Sequence, residues 1–286
     1  MPSSRHEFLV TTAWLGEHLG DPNLAILDGS WHMPAEKRDA AAEFLAGHIP
    51  GARFFDIDKI ADTSQGLPHM LPPDELFAAT MGSMGIGNDT HVVVYDVKGL
   101  FSAPRVWWTL RALGVSRASV LDGGLPKWRA EGRPLEAGPP RRGPAATFEP
   151  RRNPRSVRAM GEVRGILKSG AEQIVDARPA ARFTGEQPEP RPGLAQGHMP
   201  GARNVPFTQL INADGTLRSE AELRAVFAAS GVDPARPVVA SCGSGVTASV
   251  VAFALAVLGN PAAAVYDGSW AEWGRDPGNP VVKGTA

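Results

Sequence analysis

The feature that most constrains this chain is that it repeats itself once. Residues 47–58 read GHIPGARFFDID and residues 197–208 read GHMPGARNVPFT, 150 positions on. LAILDGS (24–30) is matched by EQIVDAR (172–178), 148 positions on. HVVVYD (91–96) is matched by PVVASC (237–242) at 146, and VLDGGLPKW (120–128) by VYDGSWAEW (265–273) at 145. Four matches in the same order, with a slowly drifting offset, mean two copies of one domain. Two long copies are not a solenoid, which needs several short ones.

Each copy alternates short β-branched runs with helix-like segments. In the second, QIVDAR, ARNVPF, PVVASC and AAAVYDG read as strands. SEAELRAVFAASG opens with a Ser-x-x-Glu capping pattern, carries apolar residues at helical spacing and stops at Gly231. GVTASVVAFALAVLG is a second helix, small or apolar almost throughout, and therefore buried on most sides. This alternation predicts an α/β fold: two tandem domains, each a parallel β-sheet flanked by helices on both faces. The expected boundaries are 1–135 for the first domain, a Pro/Arg-rich linker over 136–155, and 156–286 for the second.

Composition narrows the functional classes. A formal net charge of −1 offers no field to recruit nucleic acid or an anionic membrane. The Arg-rich stretch RRGPAATFEPRRNPR lacks aromatic platforms for bases and reads as a spacer. One cysteine permits no intramolecular disulfide, and no cluster has the spacing of a metal site. No apolar run approaches the length of a membrane span, and the opening residues lack the apolar core of a secretory signal. The expectation is a soluble cytoplasmic protein with neither metal nor cofactor.

The lone Cys242 sits in VVASCGSGVTASVV. Free cysteine is more often an inert core residue than a reagent. Here, though, it ends a strand and precedes Gly243, Ser244 and Gly245, which lead into a helix. The carboxyl end of a strand in an open α/β sheet is where ligands bind. Glycines let consecutive N–H groups turn toward one point, and the helix N-terminus adds positive partial charge. Such a cradle favours thiolate over thiol, so Cys242 reads as a nucleophile. The first copy carries Asp96 there, and an acid cannot replace a thiolate in sulfur chemistry; that copy is expected to be catalytically silent.

With the doubled domain, GHxPGA in both halves and CGSGVTA in the second, the chain resembles the rhodanese-like sulfurtransferases over nearly its whole length. The six-residue loop CGSGVT resembles the branch of that superfamily acting on 3-mercaptopyruvate rather than the branch acting on thiosulfate, whose loop carries basic residues after the cysteine. Thiosulfate is a dianion with charge close to the sulfur to be taken, which suits a cationic loop. A 2-oxo acid carries one carboxylate several bonds from its sulfur and calls for cationic donors away from the loop. DARPAARFTGEQPEPRPG supplies Arg178, Arg182 and Arg191, any of which could fork onto a carboxylate. The resemblance implies that Arg182 and Arg191 hold the substrate, with Gly243, Gly245, Val246 and Thr247 lining the donor site. Arg178 is left as a surface charge or a domain-interface ion pair.

The implied reaction is attack of the Cys242 thiolate on the donor sulfur, giving an enzyme persulfide and pyruvate, then sulfur transfer to a thiol, a thioredoxin-like reductant or cyanide. The resemblance further implies a serine–histidine–aspartate relay of Ser244, His69 and Asp58 for the protons. The alternative readings are that Ser244 satisfies loop amides and that His69 is a surface histidine in a proline-rich turn. His48 and His198, equivalent in the repeat, read as turn-fixing residues. Three other functions compete. A phosphatase on this fold needs an arginine six residues after the cysteine, where Ala248 stands. Thiosulfate sulfurtransfer is the nearest alternative, and a non-catalytic persulfide carrier comes from a different class.

Overall fold

The structure is a computed structural model, and it describes residues 5–140 and 144–285; positions 141–143 of the Pro/Arg-rich stretch lie outside the described residues. The chain forms two compact units. The first takes in the described residues of 1–61, 71–153 and 213–217, and the second those of 62–70, 154–212 and 218–286.

The first unit is built on strands Leu9–Val10 (β1), Leu24–Asp28 (β2), Arg53–Phe54 (β3), His91–Tyr95 (β4) and Ala118–Leu121 (β5). They form one sheet in the order β1-β5-β4-β2-β3, parallel throughout. Its helices are Arg5–Phe8 (α1), Thr12–Glu17 (α2), Ala40–Ala46 (α3), Asp74–Ser83 (α4), Ala103–Ala112 (α5) and Gly124–Ala130 (α6). Successive side chains of a strand point to opposite faces. On one face Val93 and Tyr95 of β4 join Ile26, Phe44, Leu125 and Trp128 in a buried cluster. On the other Val94 lies beside Val106 of α5, so close to Gly29 that a Cβ there would meet both valines. Because helices cover both faces, β4 is apolar without alternation.

The second unit repeats this strand for strand. Val157–Arg158 (β6), Gln173–Asp176 (β7), Arg203–Asn204 (β8), Val238–Ser241 (β9) and Ala264–Tyr266 (β10) pair in parallel in the order β6-β10-β9-β7-β8. Its helices are Met160–Ser169 (α7), Ala180–Phe183 (α8), Glu220–Ala229 (α9), Ala248–Val257 (α10) and Ser269–Trp273 (α11). The capping box read from Ser-x-x-Glu is present at α9, where the Ser219 side chain accepts from the Glu222 N–H. All ten residues of α10 are buried, as its small apolar sequence requires. Val163, Ile166, Phe183, Val239, Tyr266, Trp270 and Trp273 fill the opposite face.

The GHxPGA motif proves to be a turn. The Ala52 N–H donates to the Ile49 carbonyl and the Ala202 N–H to that of Met199, with Gly51 and Gly201 at φ 77° and 73°. Proline then glycine at the centre of a turn with positive φ at the glycine is a type II arrangement. His48 and His198 fix it identically. Each Nδ1 lies 2.8 Å from a carbonyl oxygen, of Phe44 or Phe183, and each ring stacks on that same phenylalanine. Among the described residues no helix is long and apolar enough to cross a membrane.

Candidate active site

Cys242 follows β9 directly, at the carboxyl edge of the second sheet, and is 2% exposed. Residues 242–247 make the crossing to α10. Several of their carbonyls are held by neighbouring elements. The Cys242 oxygen accepts from the Trp270 N–H and that of Gly243 from the Ala271 N–H, both at 2.9 Å, so the first turn of α11 anchors the loop from outside. The Gly245 oxygen accepts from the Ser249 hydroxyl at 2.9 Å. The Cys242 N–H donates to the Ser269 hydroxyl at 3.2 Å, which itself donates to the Tyr266 carbonyl at 2.8 Å. Ser269 holds φ 48°, a left-handed conformation uncommon outside glycine, and this lets its hydroxyl fold back to the loop. Gly245 at φ 79° turns the chain into the helix.

The N–H groups of residues 243–247 donate no hydrogen bond among the described residues. In the first unit the equivalent loop closes on its own acid. Asp96, 1% exposed, accepts from the N–H groups of Lys98, Phe101, Ser102 and Ala103, each at 2.8 Å. The same strand-to-helix crossing thus closes on a carboxylate in one copy, and in the other carries a thiol at its start, followed by amides that donate no hydrogen bond among the described residues.

The arginines converge on this loop. A Cβ placed on Gly243 would lie 3.1 Å from Nη2 of Arg182 and 3.9 Å from Nη1 of Arg191. Cationic groups were expected away from the loop. Instead two guanidinium groups stand against its first glycine, occupying the space that a side chain at that position would take. Arg182 comes from the short helix α8, with its side chain 16% exposed. It forks onto Glu189, with Nε 3.2 Å from Oε1 and Nη2 bonded to Oε2.

Arg178 is neither a surface charge nor an interface pair. It is 1% exposed inside the second unit. Its Nη2 donates to Asp176 at 2.7 Å and to the Gly197 carbonyl at 2.8 Å, its Nη1 donates to Glu189 at 2.7 Å, and its plane covers the Trp270 ring at 4.1 Å. Its pKa is raised: burial alone would lower it, and Asp176 with Glu189 outweigh that. Glu189 is the residue that sequence reasoning missed. It stands between Arg182 and Arg191 in sequence, close to Glu186, and nothing in the string separates a buried glutamate from a solvated one.

Ser244, Gly245 and Val246 are buried, and Gly243 and Thr247 half-buried. His69 is 5% exposed, at φ 62°, and groups with the second unit although it precedes the second repeat. It is no surface histidine. Asp58 belongs to the first unit, exposed, with Oδ2 accepting from Trp31 Nε1 at 3.0 Å.

Known proteins carry the same architecture. The family described as Rhodanese-like domain matches twice, over residues 11–131 and 159–276. The chain is 47% identical over 275 residues to the 3-mercaptopyruvate sulfurtransferase of Escherichia coli strain K12, covering 96% of this chain and 97% of that one. It is 44% identical over 274 residues to a thiosulfate sulfurtransferase of Rattus norvegicus, covering 93% and 92%. The crystal structure of SseA from Escherichia coli, described with the rhodanese fold of 3-mercaptopyruvate sulfotransferases, superposes with a TM-score of 0.84 at 45% identity, covering 93% of this chain and 99% of that one. One domain type found twice, on two sheets of the same strand order, accounts for the repeat that opened the sequence: the chain belongs to the rhodanese-like family.

Proposed function

We propose that this protein is a sulfurtransferase that takes sulfur from 3-mercaptopyruvate through a persulfide on Cys242 and releases pyruvate. The observation that carries the reading is the meeting of Arg182 and Arg191 at Gly243, next to the only thiol in the chain. The Arg191 guanidinium, and the Nη1–Nη2 edge of Arg182 that Glu189 does not fork, suit the carboxylate and ketone oxygens of a 2-oxo acid. High identity to the Escherichia coli enzyme supports the same donor.

The thiolate attacks the donor's sulfur; the new S–S bond takes shape as the carbon–sulfur bond breaks, and the electron pair leaves on carbon as pyruvate enolate. The N–H groups of 243–247 are suited to hold charge on the transferred sulfur. The enolate must gain a proton and the mercapto group must lose one. Ser244, His69 and Asp58 are our candidates for that relay. A thiol, a thioredoxin-like reductant or cyanide then removes the outer sulfur and restores Cys242. A cycle that returns a lone thiol at each turnover fits a reducing compartment such as the cytoplasm.

Thiosulfate is the second donor to consider, favoured by the 44% identity to the rat thiosulfate sulfurtransferase. Intact-protein mass after brief exposure to each donor, with pyruvate quantified, separates the two. One added sulfur with matching pyruvate from 3-mercaptopyruvate, and little sulfur from thiosulfate, is the expected result. Sulfur taken only from thiosulfate would reassign the donor, and sulfur taken from neither would remove the enzymatic role from Cys242.

A further inference from the structure

A cavity of about 530 Å³ opens at the amino ends of β4 and β5, the sheet edge opposite the Asp96 crossing. That is the size of a small-molecule site. Its lining residues all belong to the first unit, and none of them takes part in the sulfur transfer described above. Phe8, Leu9, Val10 and Trp14 supply an apolar wall. Two arginines line it as well. Arg111, in the last turn of α5, is half-buried, with its guanidinium over the Phe8 ring at 4.7 Å and the Trp107 ring at 5.5 Å. Arg117, just before β5, is exposed. Neither arginine side chain makes a hydrogen bond or an ion pair among the described residues. Burial pushes the Arg111 pKa down, with Glu7 pulling the other way. Glu7 is the one carboxylate in the lining, so with histidines counted as neutral the cavity carries one surplus positive charge, two arginines against one acid.

His91 completes the polar side. The Ser119 hydroxyl gives its single proton to the Glu7 carbonyl at 3.1 Å, so His91 Nε2, 2.9 Å from that hydroxyl, is the donor and carries the ring proton. Burial, with Arg117 and His18 nearby, lowers the ring's pKa and keeps it neutral, which leaves Nδ1 as an acceptor. A desolvated cation without an acceptor is unfavourable, so Arg111 calls for an anion. A small inorganic anion would satisfy it but leave Leu9, Val10 and Trp14 facing water. An uncharged hydrocarbon would cover the wall and leave the charge unmatched. An indole wall favours a flat ring over a flexible chain, because a rigid ring loses less freedom on binding. We propose that this cavity is a second binding site, distinct from the cysteine loop, for a small planar aromatic monocarboxylate. The carboxylate pairs with the Arg111 guanidinium, exposed Arg117 adds attraction, and the ring packs against Trp14. The site stands independently of the donor assignment made above.

Titration calorimetry on the full-length protein tests this with three probes: 2-naphthoate, its uncharged counterpart 2-naphthamide, and inorganic phosphate. One naphthoate per chain should bind, about tenfold tighter than naphthamide, and phosphate should not displace it. Arg111→Gln should weaken naphthoate about tenfold, the loss of a charged hydrogen bond, and leave naphthamide near its original affinity. Trp14→Leu should weaken both aromatic probes. Arg182→Gln, at the cysteine loop, should leave naphthoate binding as it was. Arg111 packs on two rings, so should its variant fail to fold, Arg117→Gln on the exposed turn serves instead and should weaken naphthoate several-fold. The proposal is overturned by naphthoate that does not bind, binds no tighter than naphthamide, is displaced by phosphate, or binds Arg111→Gln undiminished. Binding lost in Arg182→Gln would overturn it too, since the carboxylate would then sit at the cysteine loop.

Discussion

At the scale of single residues, Gly243 carries more of the site than its lack of a side chain suggests. Its φ is not in the left-handed region, so alanine is tolerable for the backbone. What alanine disturbs is the space: its Cβ would press on Arg182 at 3.1 Å and touch the Arg191 guanidinium at 3.9 Å. Gly243→Ala is therefore expected to raise KM for 3-mercaptopyruvate about tenfold, the loss of one well-placed charged hydrogen bond, with the melting temperature nearly unchanged. An unaltered KM would show that the two arginines do not position the donor. Gly245 behaves oppositely. At φ 79° an alanine there is strained by about 1 kcal/mol or more whatever space surrounds it. Gly245→Ala should lower both stability and sulfur uptake, which denaturant unfolding and intact mass would report together.

The next scale is the strand-to-helix crossing, built twice with different contents. In the first unit the loop closes on Asp96, whose carboxylate receives four N–H groups, three of them at the start of α5. An anion at a helix N-terminus is favourable in itself, and here it also satisfies donors that are otherwise buried without acceptors. Asp96→Ala should cost about 3–5 kcal/mol in a denaturant titration, from several charge-assisted bonds lost at once. Asp96→Asn keeps one acceptor oxygen and should cost less. A loss below about 1 kcal/mol for the alanine variant would mean that water replaces the carboxylate without penalty. The crossing in the first unit is therefore no empty cradle: the buried Asp96 side chain closes it.

For the whole molecule, the repeat made the architecture legible before any coordinates, because fold-level periodicity needs only order and spacing. QIVDAR, PVVASC and AAAVYDG appear as β7, β9 and β10, and the capped segment as α9. The thiol, its loop and the two arginines that meet it were also readable, since strand, glycines and helix stand next to one another in the string. Glu189 and the burial of Arg178 were not, because a charge network is assembled from residues whose types alone suggest solvent. The same limit hides Asp28, the counterpart of Asp176. Asp176 has Arg178 as its partner, but Ser30 stands at the equivalent place in the first unit. Burial raises the Asp28 pKa from 3.8 to about 6, against the lowering effect of bonds with Ser30 and Tyr95 and with a small further rise from Asp96. Between those two values the folded protein holds a proton that the unfolded chain has released. Stability from this group is thus complete below about pH 4 and is lost as pH rises through 6, a total of about 3 kcal/mol. Asp28→Asn, which cannot ionise, should be free of that loss. Between pH 5 and pH 7.5 its unfolding free energy should gain about 1 kcal/mol on that of the unsubstituted protein. Chemical denaturation at the two pH values measures this directly. A difference that does not change with pH would mean that Asp28 ionises in the folded state as readily as in water, and that the first sheet accommodates a buried charge without the arginine that the second one requires.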